Sequence, residues 1–339
     1  MCIRDSKHIS YKLDQLFVED VAVSEITSNL RTPFYVYSRT SIKDNFDRFT
    51  RSLKGLDSII CYSVKANSNL SVLETIAKLR GGADVVSLGE YHRALKAGID
   101  QERIVFSGVG KQDFEIAEAL KSSLLQFNIE SVSELESINK IAVSLNKQAP
   151  IAFRVNPDID AGTHENISTG KADNKFGIPI DKAKEVYQYA NKLEKIKIVG
   201  IDVHIGSQIS NLNAFRQTFE HLAKLIDELK NINIHLENID IGGGLGIKYT
   251  DKDLEPDLQE YSALVKKILG HLNCRIIFEP GRYIVGNCGI LVTKVLYKKT
   301  SQNKNFLITD AGMNDFSRTA LYGATHKLIP VSYTHLRAH

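Results

Sequence analysis

Residues 58–65 read Ser58-Ile59-Ile60-Cys61-Tyr62-Ser63-Val64-Lys65, an apolar run of strand length that ends in a lysine. An amphipathic stretch of helix length follows at 70–79, and a second apolar run at 83–87. A strand, a crossover helix and another strand make a parallel unit. The unit repeats. Apolar runs recur at 103–107, 124–129, 151–155, 198–205, 236–241 and 274–279, which makes eight candidate strands. Amphipathic stretches at 89–97, 111–121, 131–145, 181–193, 212–229 and 254–269 lie between them. That count predicts an α/β fold, a (β/α)8 barrel, rather than an open doubly wound sheet. A dinucleotide-binding fold would place a Gly-x-Gly-x-x-Gly turn straight after an early strand, and none is there.

Outside this region the pattern changes. Residues 17–37 read as extended segments, and 283–309 as two more, around 290–297 and 306–309, without crossover helices. A barrel over 39–282 and a β-rich second domain built from 1–38 and 283–331 account for both.

The 339 residues are 43% hydrophobic and 24% charged, with seven prolines, which excludes a disordered or fibrous chain. Forty-three basic against 40 acidic residues, with no long basic block, point away from nucleic acid and from anionic membranes. No apolar run reaches the roughly 18 residues a membrane-spanning helix needs, so a cytoplasmic protein is expected. The cysteines at 2, 61, 274 and 288 have no metal-type spacing and read as reduced thiols, with no metal site expected.

In such barrels the site is built at the carboxyl ends of the strands. Here those ends carry Lys65, Asp84, Ser87, Arg154, His204, Gly242-Gly243-Gly244 and Glu279. Lys65 is either a solvated strand-exit lysine or a partly desolvated amine able to form a Schiff base with a carbonyl cofactor. The glycine run suits a phosphate loop or an empty tight turn. His204, followed by Gly206 and Ser207, is either a structural residue or a ring that stacks on an aromatic cofactor. In Glu279-Pro280-Gly281-Arg282, the carboxylate either pairs with the arginine or pairs with the ring nitrogen of pyridoxal phosphate and keeps it protonated, leaving Arg282 for a substrate carboxylate. Asp84, Ser87 and Glu90 read as a supporting shell, with Ser87 equally an N-cap. Arg154 fits either a barrel carboxylate or the cofactor.

Lysine, histidine, glycine loop and Glu-Pro-Gly-Arg, in this order on successive strands, resemble the pyridoxal-phosphate enzymes of the alanine racemase and ornithine decarboxylase fold. Within that fold the chain is most similar to the diaminopimelate decarboxylase family. The matching stretches include Tyr62-Ser63-Val64-Lys65-Ala66-Asn67, Ser168-Thr169-Gly170, Asn174-Lys175-Phe176-Gly177, His204 to Gln208, and Met313-Asn314-Asp315 through Arg318 to Tyr322.

The resemblance implies decarboxylation of meso-2,6-diaminopimelate to L-lysine and CO2. It gives Lys65 as the residue that binds pyridoxal 5'-phosphate covalently and His204 as the ring that stacks on it. Ser207, Gly242, Gly243, Gly244 and the turn Glu279, Pro280, Gly281, Arg282 would hold the phosphate. Glu279 would meet the pyridine nitrogen, and Arg282, Arg318 and Tyr322 the distal carboxylate of the substrate. It also implies a homodimer with shared sites.

The family's Cys-x-Ser-x-Asp-type motif is not in this sequence. On this reading 332–339 and Met1 to Ser6 are non-native junctions on a truncated frame, turnover is weak or absent, and exposed sheet edges make the chain aggregation-prone. The competing readings are a decarboxylase of ornithine, arginine or carboxynorspermidine, an amino-acid racemase, and a non-catalytic pyridoxal-phosphate-binding barrel.

Overall fold

Eight parallel strands close a ring: β1 (Ser58–Ser63), β2 (Gly82–Val85), β3 (Ile104–Phe106), β4 (Gln126–Ile129), β5 (Ala149–Asn156), β6 (Ile196–Asp202), β7 (Asn238–Asp240) and β8 (Arg275–Phe278). Each pairs in parallel with the next, and β8 pairs with β1. The structure is a computed structural model and describes residues 7–159, 175–249 and 253–333. The motif stretch 168–170, Asn174, Met1 to Ser6 and most of the segment 332–339 lie outside the described residues.

The strands are buried on both faces, which is why they read as nearly unbroken apolar runs. Seven long crossover helices lie between them, from Leu70–Lys78 to Leu258–Leu269. Local chemistry fixes where these start. Ser87 Oγ accepts from Glu90 N at 3.2 Å while Glu90 Oε2 accepts from Val86 N at 2.9 Å. Ser131 and Glu134 repeat the arrangement at the next but one turn, with the Glu134 carboxylate on Glu130 N. Each such cap stabilises its helix by about 1 kcal/mol. Aromatic edges seal the wall against the helices, as in Phe153 on Tyr187 (4.8 Å between centroids) and Phe49 on Phe278 (5.6 Å).

The chain divides into two compact units. Asn45–Ile247 with Leu254–Ile284 form the barrel, and the residues up to Asp44, Lys248–Asp253 and those from Val285 form the other. The second unit holds the antiparallel meander Ile9–Lys12, Gln15–Val18, Val21–Ala22, the pair Phe34–Tyr37 with Gly289–Val292, and the hairpin Val295–Thr300 with Asn305–Thr309. Its small core is Ile9, Leu16, Val18, Val23 and Val292.

Two details differ from the sequence expectation. Within 17–37 a helix, Val23–Asn29, interrupts the extended segments; its N-cap is Ala22, with no side-chain cap, and its β-branched Val23, Ile26 and Thr27 read as strand. The stretch expected as one strand around 290–297 is two, paired in different sheets.

Candidate active site

Strand register decides which polar side chains share a face. Ser63 on β1 lies opposite Asp84 on β2, Arg154 on β5 opposite Asp202 on β6, and Asp202 opposite Asp240 on β7. All sit at or near the carboxyl ends of their strands, so the mouth of the barrel collects charge.

Lys65, in the single turn Val64–Ala66 after β1, sets its Nζ 3.0 Å from Asp84 Oδ2. The Lys65 side chain is half-exposed. Burial works against its charge, but Asp84 and Glu279 outweigh burial and raise its pKa. The Asp84 carboxyl feels the reverse balance: fully buried, it is nonetheless held below the usual carboxylate range by Lys65, Ser63 and Ser107. Ser63 Oγ donates to Asp84 Oδ2 at 2.8 Å and is also 3.1 Å from the Glu279 carbonyl. Asp84 is thus the lysine's ion-pair partner.

His204 follows β6. Gly243 N–H donates to its Nδ1 at 3.3 Å, which assigns the proton of the neutral ring to Nε2. Burial, then Arg154 and Lys65, push its pKa down to about 3, so the ring is uncharged at neutral pH. Arg154 itself is buried against Glu130 at 3.0 Å and lies 4.7 Å over the Phe176 ring. Glu130 also accepts from Gly177 N–H at 2.7 Å. Of the two options open in the sequence, the structure gives Arg154 a barrel carboxylate.

The glycine run crosses β7 to its loop where no side chain fits. A Cβ on Gly243 would come within 2.2 Å of the Glu279 carbonyl, and one on Gly242, at φ +64°, within 2.7 Å of Val203 O. Nearby, Arg282 Nη2 donates to Ser207 Oγ at 3.0 Å, so the two side chains expected at a phosphate meet. Glu279 is 5% exposed, and its Oε1 is buried with no hydrogen-bond partner.

The barrel thus gathers Lys65, Asp84, Arg154, His204, Ser207, the three glycines, Glu279 and Arg282. Arg318 and Tyr322 belong to the other unit. There Arg318 lies over the rings of Tyr322 and Tyr249, 5.4 Å from each. Ser87 is an N-cap.

Sequence reasoning missed the polar interior behind this mouth. Asn238 Nδ2 donates to Gln126 Oε1, Gln126 Nε2 to Asn128 Oδ1, and Asn128 Nδ2 to Asp240 Oδ2, at 3.0, 2.8 and 3.1 Å. The alternation of polar and apolar residues in Gln126-Phe127-Asn128-Ile129 and Asn238-Ile239-Asp240 was the available signal. In a strand buried on both faces, such alternation places the polar side chains toward the barrel axis.

These residues fit pyridoxal phosphate. An amine stands at the mouth, a cradle that a Cβ would fill adjoins an arginine and a serine hydroxyl, and a buried carboxylate oxygen lacks a donor.

The family described as pyridoxal-dependent decarboxylase, pyridoxal binding domain, matches residues 39–286. Diaminopimelate decarboxylase from Aquifex aeolicus is 45% identical over 324 residues, 96% of this chain and 77% of that protein. The Vibrio cholerae enzyme of the same name is 47% identical over 326 residues, 96% and 78% of the two chains. The crystal structure of diaminopimelate decarboxylase from Helicobacter pylori complexed with L-lysine aligns with a TM-score of 0.87 at 46% identity, covering 90% of this chain and 76% of that one. The polar mouth of this barrel is therefore that of a cofactor-dependent enzyme, and the chain belongs to the diaminopimelate decarboxylase family of pyridoxal-dependent decarboxylases.

Proposed function

We infer that the chain decarboxylates meso-2,6-diaminopimelate to L-lysine and CO2 with pyridoxal phosphate. Within the barrel, one observation carries the cofactor chemistry: a lysine amine held by Asp84 shares the mouth with a buried Glu279 oxygen that has no donor. When bound, the cofactor supplies an electron sink for the pair of electrons left as CO2 departs.

The chain's own residues hold and orient. Lys65 holds the cofactor through its amine, which Asp84 positions through Oδ2. His204 presents a neutral ring as a flat stacking surface, fixed by Gly243 N–H on Nδ1. Ser207, Gly242, Gly243, Gly244, Pro280, Gly281 and Arg282 bind the phosphate through N–H groups, a hydroxyl and a guanidinium. Glu279 would accept a hydrogen bond from the ring N–H on Oε1 and so keep that nitrogen protonated. Arg282, Arg318 and Tyr322 take the distal carboxylate of the substrate, a role that rests on the resemblance alone.

Steady-state CO2 release from meso-diaminopimelate against ornithine tests the reading. A clear preference for diaminopimelate is expected, and a preference for ornithine would sink it.

A homodimer with shared sites and a cytoplasmic location belong to the same reading. The first is supported by the apolar hairpin that exposes Val295, Leu296, Tyr297 and Leu307, and sedimentation of the purified chain checks it. The second is supported by the free thiols of Cys61 and Cys274; among the described residues no helix is long and apolar enough to cross a membrane.

A further inference from the structure

Three carboxylates stand together behind the cofactor end of the barrel. Asp202, Asp240 and Glu279 each place an oxygen within 4.8 Å of the others, at 2%, 0% and 5% exposure. The charged groups that face them are already engaged: Lys65 pairs with Asp84, and Arg154 with Glu130. Cys61 faces them from β1 as a buried thiol whose pKa burial raises. Among the described residues no ion pair reaches any of the three. Three such charges cannot all persist at this burial, so protons must be shared.

Asp240 is the fixed member. Its Oδ1 accepts from Gly242 N–H at 3.0 Å and its Oδ2 from Asn128 at 3.1 Å, and a carboxylate oxygen of Glu279 lies within 4.8 Å of one of its own. Two buried carboxyl groups this close, with no cation paired to either, cannot both stay ionised, so if Glu279 is ionised its neighbour holds a proton. We propose that Asp240 is a positioning residue: in the cofactor-loaded chain it carries that proton and donates it to Glu279, keeping Glu279 ionised and aimed at the pyridine nitrogen. Asp202, flanking Asp240 on the neighbouring strand, stays neutral beside them. Burial, with the adjoining acids, raises the pKa of all three in the cofactor-free chain, and for Asp240 the value is pushed up to about 7. The proposal rests on the reading of Glu279 as the ring's partner.

The test is made on the holoenzyme, by following the visible absorbance of the Lys65-bound cofactor as a function of pH. A protonated ring nitrogen disfavours a second proton on the neighbouring imine nitrogen, so losing it moves the transition upward. Asp240→Asn, neutral and still a donor, is expected to leave the transition within about 0.3 pH unit, while Asp240→Ala moves it up by a unit or more, a tenfold change in the proton equilibrium. A downward shift in either variant means that Asp240 is ionised, and overturns the proposal.

Infrared difference spectra supply a measurement that survives an unstable alanine variant. Two protonated-carboxyl C=O stretches are expected in the wild-type holoenzyme, from Asp202 and Asp240, and one of them should vanish in Asp240→Asn; persistence of both there would place the proton elsewhere. Glu279→Gln tests the underlying reading separately. It is expected to weaken cofactor binding at least tenfold. If cofactor affinity and the pH transition both stay put, Glu279 is not the ring's partner, whereas the infrared band still reports whether Asp240 holds a proton.

Discussion

Two sides of one barrel mouth treat their carboxylates in opposite ways. At β2, Asp84 is as buried as any group in the chain, yet a lysine at 3.0 Å and two hydroxyls keep it ionised. Across the ring, Asp202, Asp240 and Glu279 are equally buried but lack a cation, and burial drives their pKa values up. Burial alone therefore decides neither state. The partner decides, and the fold supplies partners to one side while withholding them from the other; on the proposed reading the cofactor's ring nitrogen would supply the missing cation there.

The sharpest way to break this contrast is Lys65→Ala. The bound-cofactor absorbance band should disappear entirely, because the amine that holds the cofactor is gone, and Asp84 should lose the partner that keeps it ionised. Retention of the band on difference spectra would refute the assignment of Lys65.

Arg154→Ala comes next. It strips Glu130 of its cation at a site where both side chains are nearly inaccessible, and breaking such a buried pair costs about 3–5 kcal/mol. Urea unfolding of the cofactor-free chain measures it. A loss under 1 kcal/mol would mean that the Gly177 N–H alone satisfies Glu130.

The acid side has its own signature in pH. Folding raises the Asp240 pKa from 3.8 to about 7, so between those values the folded chain keeps a proton that the unfolded chain has released. Stability then falls as pH rises across that window and levels off above it. Asp240→Asn removes this slope. Its stability relative to wild type should improve from pH 4 to pH 7 by at most about 4 kcal/mol, shared in practice with the neighbouring acids. Asp84 contributes in the other direction: its lowered pKa gives stability that is present above the ordinary carboxylate value and is lost as pH falls through the lowered one. A flat difference between Asp240→Asn and wild type in thermal unfolding scans would remove the contrast.

The smallest expected effect is that of Ser63→Ala. It deletes one charge-assisted hydrogen bond to Asp84 and should cost about 1.5–3 kcal/mol, with Lys65 still in place. A loss as large as that of Arg154→Ala would show that Ser63, rather than Lys65, is the main support of Asp84.

The ring of eight strands was legible because parallel strands buried on both faces leave unbroken apolar runs, and because most carry a polar residue or glycines at the carboxyl end. Lys65, His204, the glycines and Glu279 stand out for that reason. The partners of those residues were harder to read. Asp84 and Lys65 come from adjacent strands, and Asp202, Asp240 and Glu279 from three different ones, so their contact depends on the register of the closed ring. Arg154 illustrates the same limit: its pairing with Glu130 is set by the β4 and β5 ends, which no local pattern encodes. The helix Val23–Asn29 was hidden by its own β-branched residues.

The amide ladder behind Asp240 has a direction. From Asn238 through Gln126 and Asn128, every amide gives an N–H toward the acid, and Gln126 and Asn128 receive the preceding one at their carbonyls. A primary amide cannot reverse inside such a line without setting two donors or two acceptors face to face. These three positions therefore behave as one heritable word rather than three letters. A substitution that suits any one of them in isolation will be tolerated only together with changes at the other two, and a designer who wishes to retune the acid has to rewrite all of them at once.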